Sequence, residues 1–328
     1  MDLILPFNAP TYPFAVDHQS KIMLMGSCFT EEIGNKLRQL KFQVLQNPNG
    51  ILFDPLSICD ALNFYLDEQP FDETHLVFLE GIHHSWKHHS SCSKADKDDM
   101  LKSIESAAKA VRDYITKCDV LILSLGTAWY YQLKSDGKNV ANCHKAPAAL
   151  FNKQLLTTAE IVRVFNKITE RLARINPRIK LIFTVSPVKH LRDGIVENNV
   201  SKARLLDAVY TITVQQPQVF YFPSFEIVND VLRDYRFYKS DMAHPNEQAV
   251  QFIFDIFSQS FFSADCVMLL DRINQIIRAA NHIPLNPEGE AHQRFVAKQL
   301  EILEAFNRQH PSLDFSRERN LLLSAKCR

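Results

Sequence analysis

Two periodicities alternate along the chain. A short apolar run, residues 21–25 (KIMLM), ends at Gly26 and predicts a buried strand. Residues 30–40 follow with acidic side chains early and basic ones late, an order that complements a helix dipole, and Thr30 is placed to cap that helix. FQVLQ (42–46) predicts a second strand closed by the turn signal NPNG (47–50), and Pro55 opens a helix over 55–66. The pattern then predicts an amphipathic helix (96–116), the strongest buried strand, DVLILSLG (119–126), and a hairpin around Asp136-Gly137 within 130–142. A helix (158–175), a strand (180–186), a helix (198–215), a strand (219–222) and a helix from Pro245 to about 262 complete the series. Five apolar strands alternating with helices predict an α/β three-layer sandwich, a five-stranded parallel sheet covered on both faces. After about residue 264 the pattern is purely helical (266–280, 290–309), so residues 1–263 read as the α/β domain and 264–328 as a C-terminal helical extension. That extension is expected to pack on the domain or to form a homodimer surface.

Composition narrows the function classes. The 328 residues include 8 glycines, 23 Phe and 9 Tyr, which excludes collagen-like and Gly-rich disordered chains. Lys+Arg 37 against Asp+Glu 37 leaves no net charge to attract nucleic acid or an anionic membrane, and no such partner is expected. No apolar run approaches the ~20 residues of a membrane span, and the proline-interrupted N-terminus does not read as a signal peptide. The seven cysteines (Cys28, Cys59, Cys92, Cys118, Cys143, Cys266, Cys327) are odd in number, and no two are spaced C-x-x-C. A cytoplasmic location is the expectation.

Ligands of parallel sheets bind beyond the carboxyl ends of the strands, and Gly26, Gly50 and Gly126 stand at or just after such ends. The first is followed by Ser27-Cys28-Phe29-Thr30-Glu31, a small nucleophile at a strand-to-helix turn where backbone N–H groups and the helix dipole favour negative charge. The second constellation is Ser240-Asp241-Met242-Ala243-His244-Pro245-Asn246. An Asp three residues before a His, ahead of a helix, lets the carboxylate orient the imidazole as general base toward a nucleophile on another loop. Each pattern alone also fits an ordinary turn.

Together they resemble the SGNH (Gly-Asp-Ser-Leu type) esterase superfamily, whose blocks read Gly-Asp-Ser-Leu-Thr-Glu and Asp-x-x-His-Pro. The resemblance is closest to the GSCFA family, named for the motif present as Gly26-Ser27-Cys28-Phe29, and extends to NPNGILFDPLSI (47–58), LSLGTAWYY (123–131), ANCHKAP (141–147), SPVKHLRDG (186–194) and SDMAHP (240–245). It implies a flavodoxin-like fold and a hydrolase or acyltransferase acting on a small-molecule or carbohydrate ester, with no cofactor. Gap-free alignment sets Cys28 at the superfamily's serine position, implying a Cys28–His244–Asp241 triad and a thioester intermediate. A one-residue slip makes Ser27 the nucleophile. The competing class is a ligand-binding protein on the same fold.

The resemblance also implies an oxyanion hole. Gly50 fits the glycine that the superfamily carries after its second strand, but Gly126-Thr127-Ala128 lacks the asparagine of its third, Gly-x-Asn block. Thr127, Asn142 and His144 are the candidate substitutes. His190, with Lys189 and Arg192, follows the fourth strand and is expected at the pocket wall. The run His83-His84-Ser85-Trp86-Lys87-His88-His89 is read as a rim loop in which Trp86 stacks on substrate. A metal site in this run ranks last, since adjacent histidines on an extended segment point to opposite faces.

Overall fold

The computed structural model describes residues 5–326; Cys327 and the first four residues of the N-terminal segment lie outside them. The chain builds β1 (Lys21–Gly26), α1 (Cys28–Gln39), β2 (Gln43–Gln46), α2 (Pro55–Asp67), β3 (Leu76–Leu79), β4 (Ile82–Ser85), α3 (Lys97–Ile115), β5 (Val120–Leu125), β6 (Trp129–Leu133), β7 (Asn139–Val140) and β8 (Phe151–Leu155). It continues with α4 (Thr158–Ile175), β9 (Lys180–Val185), α5 (Ile195–Gln215), β10 (Val219–Tyr221), a short α6 (Ser224–Glu226) that runs into a π-helical turn, α7 (Glu247–Phe261), α8 (Ala264–Ala280), α9 (Glu290–Gln309) and α10 (Ser316–Lys326).

The expected parallel sheet forms in the order β10-β9-β5-β1-β2. Counting its strands along the chain, that is 2-1-3-4-5, the flavodoxin-like order, whose switch point falls between β1 and β5. Strand alternation assigns the two faces. Met23, Met25, Leu121, Leu123, Phe183 and Val185 pack against α2, α3, α4 and α5. Ile22, Leu24, Ile122 and Ile182 pack against α1 and α7, and the same apolar cluster runs on through Ile273 of α8, Val296 of α9 and Leu322 of α10. Among the described residues no helix is long and apolar enough to cross a membrane.

Two small sheets stand outside this frame. The expected hairpin around Gly137 pairs β6 with β7, and β8 adds to β6 as a third strand that periodicity alone did not reveal. The β3–β4 hairpin was also unforeseen; its two-residue turn, Glu80-Gly81, has positive φ at both positions (50° and 81°), as a type I′ turn requires.

Asp54 caps α2, accepting the Ser57 N–H at 2.9 Å and the Ser57 hydroxyl at 2.6 Å. Burial pushes its carboxyl up to about 6 against those hydrogen bonds. The folded protein therefore holds this proton over a range where the unfolded chain releases it. The contribution of Asp54 to stability is greatest below its unfolded value, near 4, and falls as pH rises through about 6, by on the order of 2 kcal/mol. Asp54→Asn is expected to flatten that component. An identical wild-type-minus-variant difference in thermal midpoint at pH 4.5 and pH 7 would contradict it.

Candidate active site

The turn after β1 is shaped by contact between β1 and β5. Gly26 lies opposite Ser124 in register and has φ +136°; a Cβ there would sit 2.1 Å from the Ser124 carbonyl oxygen. Ser27 donates its N–H to the same carbonyl (3.0 Å), and its hydroxyl lies 2.8 Å from that of Ser124. Ser27 is 1 % exposed. Cys28, by contrast, is partly exposed as the first residue of α1. Burial pushes its thiol up; the Lys202 ammonium first, then the backbone N–H groups of Cys28 and Phe29 at the helix start, oppose that rise, and Glu31 adds to it.

Asp241 and His244 meet on the loop before α7. One carboxylate oxygen accepts the backbone N–H groups of Ala243 (2.9 Å) and His244 (3.0 Å), and the other lies 2.6 Å from His244 Nδ1. Those hydrogen bonds hold the Asp241 carboxyl down at about 2. An ionised carboxylate at Nδ1 assigns the imidazole proton to that nitrogen and leaves Nε2 as acceptor. The loop is anchored on the carboxyl edge of the sheet: Lys189, after β9, donates its N–H to Ala243 O (3.1 Å), and Lys239 pairs with Glu32 of α1 (3.3 Å). His244 and Asp241 are 42 % and 49 % exposed at the side chain. Among the described residues, His244 makes no hydrogen bond to Cys28 or to Ser27.

Most of the expected oxyanion donors are engaged elsewhere. The Gly50 N–H closes its own turn on Asn47 O (2.7 Å), and the N–H groups of Gly126 and Thr127 both donate to Phe53 O (2.8 and 3.0 Å). The Thr127 hydroxyl lies 3.0 Å from that of Ser201 and accepts the Trp129 N–H. Asn142 accepts the His144 N–H with its side-chain oxygen. The buried His144 ring lies 2.7 Å from Ser85 O and 3.0 Å from the Ser90 hydroxyl, and burial lowers it to about 4, so it is neutral at pH 7. At the start of α1 the backbone N–H groups of Cys28 and Phe29 act on the Cys28 thiol, lowering it against the burial that raises it.

The histidine loop also departs from expectation. Trp86 is 6 % exposed, packed with Val140 and Phe151, and presents no open face for a sugar ring. Serines hold the rings of His84 (Ser93, 2.7 Å), His88 (Ser85, 2.9 Å) and His89 (Ser91, 3.0 Å). No group of three or more His, Cys, Asp or Glu among the described residues is arranged to hold a metal. His89 does approach the turn that follows β2: its N–H donates to Asn49 O (2.8 Å) and its Cβ packs over Gly50, while burial lowers its ring and Glu31 opposes that. His190 lies 3.7 Å from Asp193, which itself pairs with Lys153, and its ring is 38 % exposed.

Sequence reasoning missed Lys202. It is 2 % exposed, and its ammonium donates to the carbonyls that follow β5 and β9, Gly126 O at 2.6 Å and Ser186 O at 2.7 Å. The signal was present in α5, where Asn198, Ser201, Lys202, Leu205, Ala208, Val209 and Ile212 form the buried stripe. A lysine on the apolar stripe of an amphipathic helix is an anomaly.

The chain matches the model of the GSCFA family over residues 21–257, and that of the GSCFA domain protein C-terminal domain over residues 273–325. No curated protein matches it. Among solved structures it is similar to a carbohydrate esterase family 3 protein from Talaromyces cellulolyticus (11% identity, 77% of this chain and 98% of that chain, TM-score 0.37). It is also similar to a family 3 carbohydrate esterase from Clostridium thermocellum (12%, 77% and 97%, TM-score 0.34). A third is a carbohydrate esterase family 2 enzyme with its carbohydrate-binding domain from Corynascus thermopiles (10%, 79% and 69%, TM-score 0.39). At these identities and TM-scores the likenesses say nothing about activity. Gly26-Ser27-Cys28-Phe29 stands at the switch point of the sheet, the family model spans the sheet from its first strand into α7, and the chain belongs to the GSCFA family.

Proposed function

We propose that the protein is a thiol-dependent acyl hydrolase or acyltransferase acting on a small-molecule or carbohydrate ester. The observation that carries the reading is the Asp241–His244 contact of 2.6 Å, anchored on the same sheet edge at which Cys28 opens α1. Cys28 Sγ attacks the ester carbonyl, forming a C–S bond, and the developing oxyanion is met by the helix-start N–H groups. His244 Nε2 takes the thiol proton and gives it to the departing alkoxide as the C–O bond breaks. Water or an acceptor hydroxyl, deprotonated by His244, then breaks the C–S bond and releases the acyl product. Asp241 keeps the proton on Nδ1 and stabilises the imidazolium. Catalytic hydrogen bonds often tighten only when substrate is bound, which suits a His244 Nε2 without a hydrogen-bond partner among the described residues. Ser27, buried and bonded to Ser124, is assigned to the turn.

A ligand-binding protein on the same fold is the second reading. It is favoured by the engagement of the Gly50, Gly126 and Thr127 N–H groups within the protein, which leaves a shallower oxyanion site than hydrolysis ordinarily uses.

Incubation with an activated acetyl ester separates the two. The wild type is expected to show a Cys28 acyl adduct by peptide mass spectrometry and to turn over. His244→Ala is expected to reduce turnover by about 100-fold or more, while a folded His244→Ala protein still reacts with an iodoacetamide-type probe at Cys28. Neither adduct nor turnover with any of a panel of acyl esters would favour the binding protein, and labelling by a fluorophosphonate at Ser27 would move the nucleophile by one residue.

A further inference from the structure

We propose that Lys202 is the charge partner of Cys28, a buried ammonium at the carboxyl edge of the sheet that stabilises negative charge on the nucleophilic sulfur. The inference rests on the reading of Cys28 as nucleophile, and it assigns Lys202 as a positioning residue that acts through that sulfur.

Burial makes the ammonium costly unless something compensates it. Its two hydrogen-bond acceptors, Gly126 O and Ser186 O, are neutral carbonyls, and among the described residues no carboxylate pairs with it. Two carbonyls satisfy two N–H groups. A neutral amine is thereby complete, whereas the ammonium carries a third N–H and a charge that need an anion. Burial accordingly pushes Lys202 down to about 7, and Cys28 is the group that pulls it back up.

The location ties the two together. Gly126, whose carbonyl holds the ammonium, packs against Ser27: a Cβ on Gly126 would stand 3.3 Å from the Ser27 Cβ. Cys28 is the next residue. The charged groups acting on the sulfur are Lys202 from α5 and Glu31 from its own helix. Around this pair, burial lowers the rings of His89, which Glu31 opposes, and of His190, which Asp193 opposes and Lys153, Lys202 and Arg192 reinforce; Asp241 and His244 engage each other. Lys202 also occupies the neighbourhood of the absent third-block asparagine. Ala128, the third residue of Gly126-Thr127-Ala128, donates its N–H to Ser201 Oγ (2.7 Å), and Ser201 immediately precedes Lys202 on α5. One helix thus supplies the polar groups at this corner, with a cation in place of an amide.

A purely architectural lysine, tying the ends of β5 and β9, would cost stability when removed but leave the chemistry of the thiol untouched. The test reads the thiol directly and needs no substrate: the pH dependence of iodoacetamide alkylation at Cys28, resolved by peptide mass spectrometry. In folded Lys202→Met the midpoint is expected to rise by about one pH unit, so that alkylation on the low-pH limb slows about tenfold. Lys202→Arg, which keeps a cation, is expected to restore most of that loss. The reciprocal measurement covers variants of Lys202 that do not fold. Coupling between two sites is mutual, so the 13Cε resonance of Lys202 is expected to titrate at lower pH in Cys28→Ala than in the wild type. An unchanged Cys28 profile in folded Lys202→Met, or a Lys202 titration indifferent to Cys28→Ala, overturns the pairing. Either result leaves the acyl-transfer reading standing, because that reading is judged by the acyl adduct and turnover; conversely, loss of turnover without an altered alkylation profile counts against Lys202 alone.

Discussion

Cys28→Ala is expected to lower ester turnover by on the order of 10⁴-fold and to remove iodoacetamide labelling from the peptide that carries residue 28. The expectation follows from how the cysteines are housed. Cys59, Cys118 and Cys266 are buried, and burial pushes all three thiols up, those of Cys118 and Cys266 to about 12, so they are nearly all thiol at neutral pH. Cys92 and Cys143 are partly exposed but are also raised by burial, and neither stands at the start of a helix of the sheet layer. Burial raises Cys28 as well, but it combines partial exposure with a place at the start of α1, and Lys202 and the helix-start N–H groups oppose that rise. Ser27→Ala serves as the matched control. It removes the buried hydroxyl that faces Ser124, at a stability cost of about 1 kcal/mol, and is expected to leave labelling at Cys28 within a few-fold of wild type. Wild-type turnover in Cys28→Ala, or an equal loss in a folded Ser27→Ala protein, would dismiss Cys28 as the nucleophile.

Among the glycine-to-alanine changes, Gly26→Ala is expected to be the most destabilising, by on the order of 4 kcal/mol or more, against a total stability of about 5–15 kcal/mol. The added Cβ would lie 2.1 Å from Ser124 O and 2.9 Å from Ser124 C and N, all of them backbone atoms of the adjacent central strand. Neither atom set can yield without separating β1 from β5, and φ +136° strains any side chain as well. Gly81→Ala provides the scale. There φ is +81° but nothing lies within 4 Å of the added methyl, so backbone strain acts alone, at about 1 kcal/mol. Urea midpoints of the two variants measure the difference directly. If Gly26→Ala unfolds within about 1 kcal/mol of the wild type, the close approach of β1 to Ser124 is not what requires glycine at the nucleophile turn.

Short-range pattern was sufficient for the frame of this protein. The central strands β1, β5 and β9 are mostly apolar runs because both their faces are covered, and the helices between the sheet strands carry one apolar stripe each; both signals are local and survive without knowledge of partners. The motifs Gly26-Ser27-Cys28-Phe29 and Asp241-x-x-His244 were equally legible, since each is a turn read within a few residues. What pattern could not supply was anything fixed by a partner distant in sequence. The strand β8, alternating and half exposed, acquires its identity from β6. Trp86 read as a rim aromatic until Val140 and Phe151 enclosed it. Gly50 and Gly126 were rightly located at strand ends, but whether their N–H groups are free depends on Asn47 O and Phe53 O, which are set by how the loops close. Lys202 lies 174 residues beyond Cys28; its meaning arises when α5 lays it beneath the ends of β5 and β9, where desolvation turns an ordinary charge into one that needs an anion. The sequence by itself determined the layers, the carboxyl edge of the sheet and the turn that carries Gly26-Ser27-Cys28-Phe29, because these follow from periodicity and turn chemistry. Which hydroxyl is buried, which donors are occupied and which cation is desolvated beneath the strand ends were decided by tertiary packing, because hydrogen-bond occupancy and desolvation exist only once distant segments are brought together.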